Sequence, residues 1–72
     1  MNNSNMAKIQ LNGDSFEIGA GSNLVELLNK LKIQMNKVAI EVNGEIIERE
    51  RYTDLILSKN DKVEIVHFIG GG

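Results

Sequence analysis

Only one stretch of this 72-residue chain repeats with the period of a helix; the other patterned stretches alternate or turn. Leu24, Leu27, Leu28 and Leu31 stand at i, i+3, i+4 and i+7, which puts four leucines in one apolar stripe. Asn23 is placed to cap the helix start, with Glu26 three residues on to complete a capping box. Lys30 and Lys32 fall in the expected last turn, where positive charge suits the helix macrodipole. A lone helix cannot cover its own stripe, so the remaining chain must provide the surface that does. Burial stabilises each leucine by roughly 1.5–3 kcal/mol. All four are therefore expected in the core, with this helix as its main element.

The remaining chain alternates with period two. Ala7–Leu11 and Ser15–Ile18 flank the turn signal Asn12-Gly13-Asp14, and Val38–Val42 and Glu45–Glu48 flank Asn43-Gly44. Each pair reads as a β-hairpin. Arg49–Leu57 is irregular, with a helical turn expected around Tyr52–Leu55. Ser58–Asp61 is a turn in which Asn60 can take a left-handed conformation, and Lys62–Ile69 is a last, strongly apolar strand. The order is β-β-α-β-β-β. The repeated pattern Ile9-x-Leu11-Asn12-Gly13 and Ile40-x-Val42-Asn43-Gly44 reads as shared turn chemistry rather than duplication. Four or five strands and one helix make an α+β domain with the helix on one face of the sheet. A helix set between hairpins suggests a β-grasp.

At this length one domain is expected, spanning residues 7–69. A flexible extension (1–6) precedes it and a glycine tail (70–72) follows. Net charge of −2 gives no basic footprint for nucleic acid, and no apolar run approaches membrane-spanning length. Without cysteine the chain has no disulfide, thiolate nucleophile or thiolate metal site, and one histidine makes no metal cluster. The expectation is a cytoplasmic protein, monomeric when free, with no bound cofactor and no metal.

The chain closes on Gly70-Gly71-Gly72, directly after the apolar run Val63-Glu-Ile-Val-His-Phe-Ile69. On that base three glycines present a carboxylate with no side chain in the way, which suggests the terminus itself as the reactive group. With this ending the chain resembles the ThiS family, the ubiquitin-like sulfur carriers of thiamin (thiazole) biosynthesis. Asn23-Leu-Val-Glu-Leu-Leu28, Val42-Asn-Gly-Glu-Ile-Ile47, and Glu48-Arg49 leading to Arg51-Tyr52 also carry the resemblance, which extends from Met6 to Gly72. Many relatives have a glycine where Asn60 precedes Asp61; asparagine also tolerates the left-handed conformation.

The resemblance implies a ubiquitin-like β-grasp, a mixed sheet of four or five strands whose last strand lies between the first and third. It also implies the chemistry. A ThiF-like adenylating enzyme uses ATP to convert the Gly72 carboxylate to an acyl adenylate. Sulfur from a persulfide, delivered by a cysteine desulfurase system, then gives a thiocarboxylate, and thiazole synthase accepts the sulfur. The protein would be a stoichiometric co-substrate, not an enzyme, with Gly70 and Gly71 as slim reach. Three extended residues span roughly 10 Å. Other readings are the small subunit of molybdopterin synthase, a tRNA-thiolation modifier, and a β-grasp binding module whose glycine end is incidental.

Outside the tail, Val66 and Phe68 alternate onto the face opposite Val63 and Ile65. One helix covers one face, so Val63 and Ile65 are expected in the core, with Val66 and Phe68 partly exposed as a partner-docking patch that Ala39 extends. Packing under the Arg49–Leu57 loop is the competing reading. His67 reads first as a partly exposed strand-end residue and second as a partner contact. Glu48–Arg51 reads as a solvated loop or an electrostatic contact to the activating enzyme, and Tyr52 as packed beneath its loop.

Overall fold

The structure, a computed structural model, describes residues 5–68. Five strands and one helix follow in the expected order. The strands are β1 (Met6–Leu11), β2 (Asp14–Gly19), β3 (Val38–Val42), β4 (Glu45–Ile47) and β5 (Lys62–His67), and α1 (Leu24–Leu31) lies between β2 and β3. Spatially the sheet runs β2-β1-β5-β3-β4. β5 lies parallel to β1 and antiparallel to β3, and both hairpins are antiparallel. The last strand therefore occupies the centre, between first and third, and the fold is an α+β ubiquitin-like β-grasp.

Both hairpin turns follow from their Asn-Gly pairs. Asn12 and Gly13 have φ of 49° and 90°, and Asn43 and Gly44 have 52° and 87°. Two consecutive positive φ values are what a two-residue type I′ turn demands, and asparagine followed by glycine meets that demand at least cost. The helix start is also as the residues dictate. Asn23 Oδ1 accepts from the Glu26 N–H at 2.8 Å, and Glu26 Oε1 accepts from the Asn23 N–H at 2.9 Å. Asn60 has φ of 73°, within the left-handed region its residue type permits.

The core lies between α1 and one face of the sheet. Leu24, Leu27 and Leu28 pack with Ile9, Ile18, Val38, Ile40, Ile47, Val63 and Ile65, all buried. Tyr52 and Leu57 close it from the long connection, with Tyr52 beneath its loop as its residue type suggested. That connection is tied to the helix start. The Leu24 N–H donates to Tyr52 O at 3.1 Å, the Leu57 N–H to Ser22 O at 2.8 Å, and Asn23 Nδ2 to Thr53 O at 3.2 Å.

Several local readings are corrected. Leu31 is only half-buried, because α1 ends there and the chain reverses at Lys32, whose φ is 60°. The fourth leucine thus sits at the rim of the core, and Lys32 caps the helix rather than belonging to its last turn. The helical turn in the long connection is a 3-10 turn over Arg49–Arg51, ahead of Tyr52–Leu55, and a second lies at Met35–Lys37 just before β3. β1 begins at Met6, opposite Gly19, and β4 stops at Ile47. β5 ends at His67, although the Phe68 N–H still donates to Lys37 O at 2.9 Å.

Candidate docking face and the strand beneath the tail

The glycines at 70, 71 and 72 lie outside the described residues, so the site is built from the strand that leads to them. β5 presents its main chain alternately to its two neighbours. The Asn43 N–H donates to Lys62 O at 2.7 Å, and the Phe68 N–H to Lys37 O at 2.9 Å. Even-numbered residues of β5 therefore bond toward β3. Odd-numbered residues bond toward β1: the Gln10 N–H donates to Asp61 O and the Asn12 N–H to Val63 O, both at 2.9 Å.

The parallel ladder with β1 is short, pairing only Gln10 with Lys62 and Leu11 with Val63 before β1 turns away. Asn12 extends it with its side chain. Its Oδ1 accepts from the Ile65 N–H at 2.8 Å and its Nδ2 donates to Ile65 O at 3.3 Å. The asparagine amide thus takes the place of a further strand residue. On the other flank, Asn43 Oδ1 accepts from the Lys62 N–H at 2.9 Å, and its Nδ2 donates to Asp61 Oδ1 at 3.0 Å. Asp61 in turn accepts from the Ser58 N–H at 2.7 Å through its other oxygen. The two turn asparagines therefore hold β5 from both sides. The repeated Asn-Gly pattern marked these positions, but only as turns.

Alternation also sorts the side chains of β5. Val63 and Ile65 are in the core, whereas Val66 is 60% exposed and Phe68 53% exposed, as the one-helix argument required. Ala39, the cross-strand partner of Val66, is half-buried on the same open face. His67 shares the parity of Val63 and Ile65 but is exposed at the strand end. Glu48, Arg49, Glu50 and Arg51 are all exposed. The Arg49–Leu57 loop packs at the helix start, and the open-face patch is flanked instead by strands.

One residue of this face escapes a reading of the sequence. Ile46 on β4 is 71% exposed. It pairs with Glu41, which pairs across β3–β5 with Glu64. Ala39, Glu41, Ile46, Glu64 and Val66 line one shallow depression of about 240 Å³. In the sequence Ile46-Ile47 is simply an apolar pair, and pairing register alone decides that Ile47 goes in and Ile46 out. Two glutamates directly opposite each other stabilise nothing in the isolated sheet; with the apolar side chains beside them they give the face an acidic stripe. Among the described residues no three His, Cys, Asp or Glu side chains group as a metal set would. No described helix is long and apolar enough to cross a membrane.

Comparison with known proteins agrees with this architecture. The ThiS family matches residues 9–72. The sulfur carrier protein ThiS of Bacillus subtilis is 38% identical over 65 residues, covering 89% of this chain and 98% of that protein. The crystal structure of the thiamine biosynthesis protein ThiS from Geobacter metallireducens superimposes with a TM-score of 0.78 at 35% identity, covering 90% of this chain and 99% of that one. A thiazole synthase of Magnetococcus marinus is 43% identical over 65 residues, which are 90% of this chain but 20% of that protein. The chain thus spans about a fifth of the thiazole synthases it matches. On the family match over residues 9–72 and the shared β-grasp, the chain belongs to the ThiS family of sulfur carriers.

Proposed function

We propose that this protein carries sulfur on its C-terminal glycine for construction of the thiamin thiazole ring. The observation that carries this reading is the family match, which continues past β5 through the glycines to residue 72. A terminal carboxylate has a pKa near 3.3–3.7 and is ionised at neutral pH. The Gly72 carboxylate attacks the α-phosphorus of ATP on a ThiF-like adenylating enzyme, releasing pyrophosphate and leaving an acyl adenylate. The terminal sulfur of a persulfide, supplied by a cysteine desulfurase system, displaces AMP to give an acyl disulfide, and a second thiolate of the sulfur-donor system cleaves its S–S bond by thiol–disulfide exchange, releasing the thiocarboxylate and leaving a donor disulfide. Thiazole synthase is the acceptor; the thiazole synthases that hold a similar stretch within their own chain support that choice.

The protein's own part is presentation. Gly70 and Gly71 let the main chain pass through a narrow channel. The docking face, with Val66, Phe68 and Ala39 and the neighbouring His67, seats the partner. ATP belongs to the activating enzyme, and the carrier is consumed and regenerated stoichiometrically rather than acting as a catalyst. The chain has no cysteine, so sulfur carried by thiolate chemistry has no side chain to reside on.

Intact-mass measurement tests this directly. After incubation with ATP, a ThiF-like enzyme and a persulfide donor, the expected product is heavier by the exchange of one oxygen for sulfur. The exchange is confined to the C-terminal peptide. Deleting Gly71 and Gly72 abolishes it while leaving the fold intact. An unchanged mass with demonstrably active partners overturns the proposal.

A further inference from the structure

Two asparagines of this chain precede a glycine, Asn12 and Asn43, and the fold holds them unequally. An Asn-Gly pair is prone to cyclise on itself, because glycine puts no side chain in the way of its own nitrogen. Around Gly13 and Gly44 no atom beyond the chain neighbours lies within 4 Å of where a Cβ would stand. Neither glycine N–H has an acceptor among the described residues. The local sequences Leu11-Asn-Gly-Asp14 and Val42-Asn-Gly-Glu45 are closely alike, so a difference between the two sites has to come from the structure.

The folded turns restrain this chemistry. At φ of 49° and 52° both asparagines are left-handed, a region in which ψ is positive too. That conformation turns the following nitrogen away from the asparagine Cβ, so ring closure waits for the turn to open. Opening is harder at Asn12. Its amide is bound to the N–H and C=O of Ile65 on the central strand, in a part-buried setting, and its hairpin is six pairs long. The Asn43 amide has only exposed bonds, to the Lys62 N–H and the Asp61 carboxylate. Its hairpin has three pairs, to β4 at the sheet edge.

We propose that Asn43-Gly44 is a self-modification site, where the β3–β4 hairpin opens and Asn43 deamidates. The Gly44 main-chain nitrogen attacks Cγ of Asn43 and the Cγ–Nδ2 bond breaks. The proton lost by the glycine nitrogen leaves with Nδ2 as ammonia, and a five-membered succinimide remains. Water then opens the ring. Cleavage of the bond from nitrogen to Cγ gives aspartate, and cleavage of the bond from nitrogen to the main-chain carbonyl carbon gives isoaspartate. Both products damage the same corner of the fold. A carboxylate at position 43 cannot donate to Asp61 Oδ1, which now accepts from Asn43 Nδ2 at 3.0 Å, and it opposes Asp61 as a like charge. Isoaspartate also adds a main-chain atom to the turn that sets the β3–β4 register, and that register puts Ile47 in the core and Ile46 on the open face.

Peptide mapping by mass spectrometry tests this on the full chain, incubated at neutral pH with and without urea. In urea the two sites convert at comparable rates. In the folded protein Asn43 is expected to convert at least about tenfold faster than Asn12, because its turn opens at lower free energy. Asp61→Ala removes the acceptor of the Asn43 amide and raises conversion there at least about threefold, with Asn12 unchanged. The isoaspartyl fraction, once separated, should unfold at least about 5 °C below the unmodified chain. Equal rates at the two sites of the folded chain, or faster conversion of Asn12, overturn the proposal. So does an intact Asn43 after an incubation that converts the urea control, or an isoaspartyl fraction with unchanged Tm. The wild-type comparison gives an answer even if Asp61→Ala fails to fold.

Discussion

Replacing Asn12 by glycine removes the side chain that holds the C-terminal half of β5 at Ile65 while leaving its turn unstrained. Asn12 has φ of 49°, which glycine adopts freely, so the substitution removes the amide's two bonds to Ile65 without straining the folded turn. Those bonds measure 2.8 Å and 3.3 Å, and each contributes about 0.5–1.5 kcal/mol net, the longer one at the low end. Added chain freedom in the unfolded state costs a further ~0.5–1 kcal/mol. The expected loss is about 2 kcal/mol. For a domain this size that lowers Tm by about 10 °C, against a total stability on the order of 4–11 kcal/mol.

Urea denaturation followed by circular dichroism measures the loss, with the m-value unchanged if the same surface is exposed. Amide exchange locates it: Ile65, protected by Asn12 in the wild type, should exchange nearly as fast as His67 in Asn12→Gly, while Glu64 stays protected by β3. The matched change Asn43→Gly breaks exposed bonds to Lys62 and Asp61 and should leave Ile65 protected. A stability loss below about 0.5 kcal/mol with Ile65 still protected would refute the view that the asparagine amide completes the β1–β5 ladder.

Two further outcomes follow from the geometry. The double substitution Val66→Thr with Ile46→Thr keeps β-branched side chains at exposed positions, so stability should change by less than about 1 kcal/mol; titration calorimetry with the ThiF-like enzyme should show at least about tenfold weaker association, and equal affinity would remove these residues from the docking face. Asn23→Ala breaks the reciprocal cap with Glu26 and the bond to Thr53, and thermal unfolding should show a loss of about 1–2 kcal/mol; a smaller effect would mean that packing of the leucines alone positions α1.

The exposed apolar face was partly visible in the residues themselves. Alternation places Val66 opposite Val63 and Ile65, and one helix cannot cover two faces, so exposure of Val66 and Phe68 follows from counting. Ile46 does not follow, because neither member of the pair Ile46-Ile47 differs in type. The role of Asn12 was half visible: Asn-Gly specifies a turn, but nothing local reveals that the amide reaches 53 positions along the chain to Ile65.

By itself the sequence determines what depends on neighbours a few residues apart. The leucine spacing makes α1, Asn23 with Glu26 starts it, the two Asn-Gly pairs close the hairpins, and period two lays out the strands, because each preference is set by local sterics and hydrogen bonding. Tertiary structure alone decides what depends on chain segments meeting. It sets β5 between β1 and β3, leaves Leu31 at the rim, turns Ile46 outward, and ends β1 at Leu11, opposite Val63, four residues short of a position opposite His67. The physical reason is that strand pairing satisfies any main chain equally well. Which edges meet, and which are left open, is settled by packing the whole sheet on one short helix.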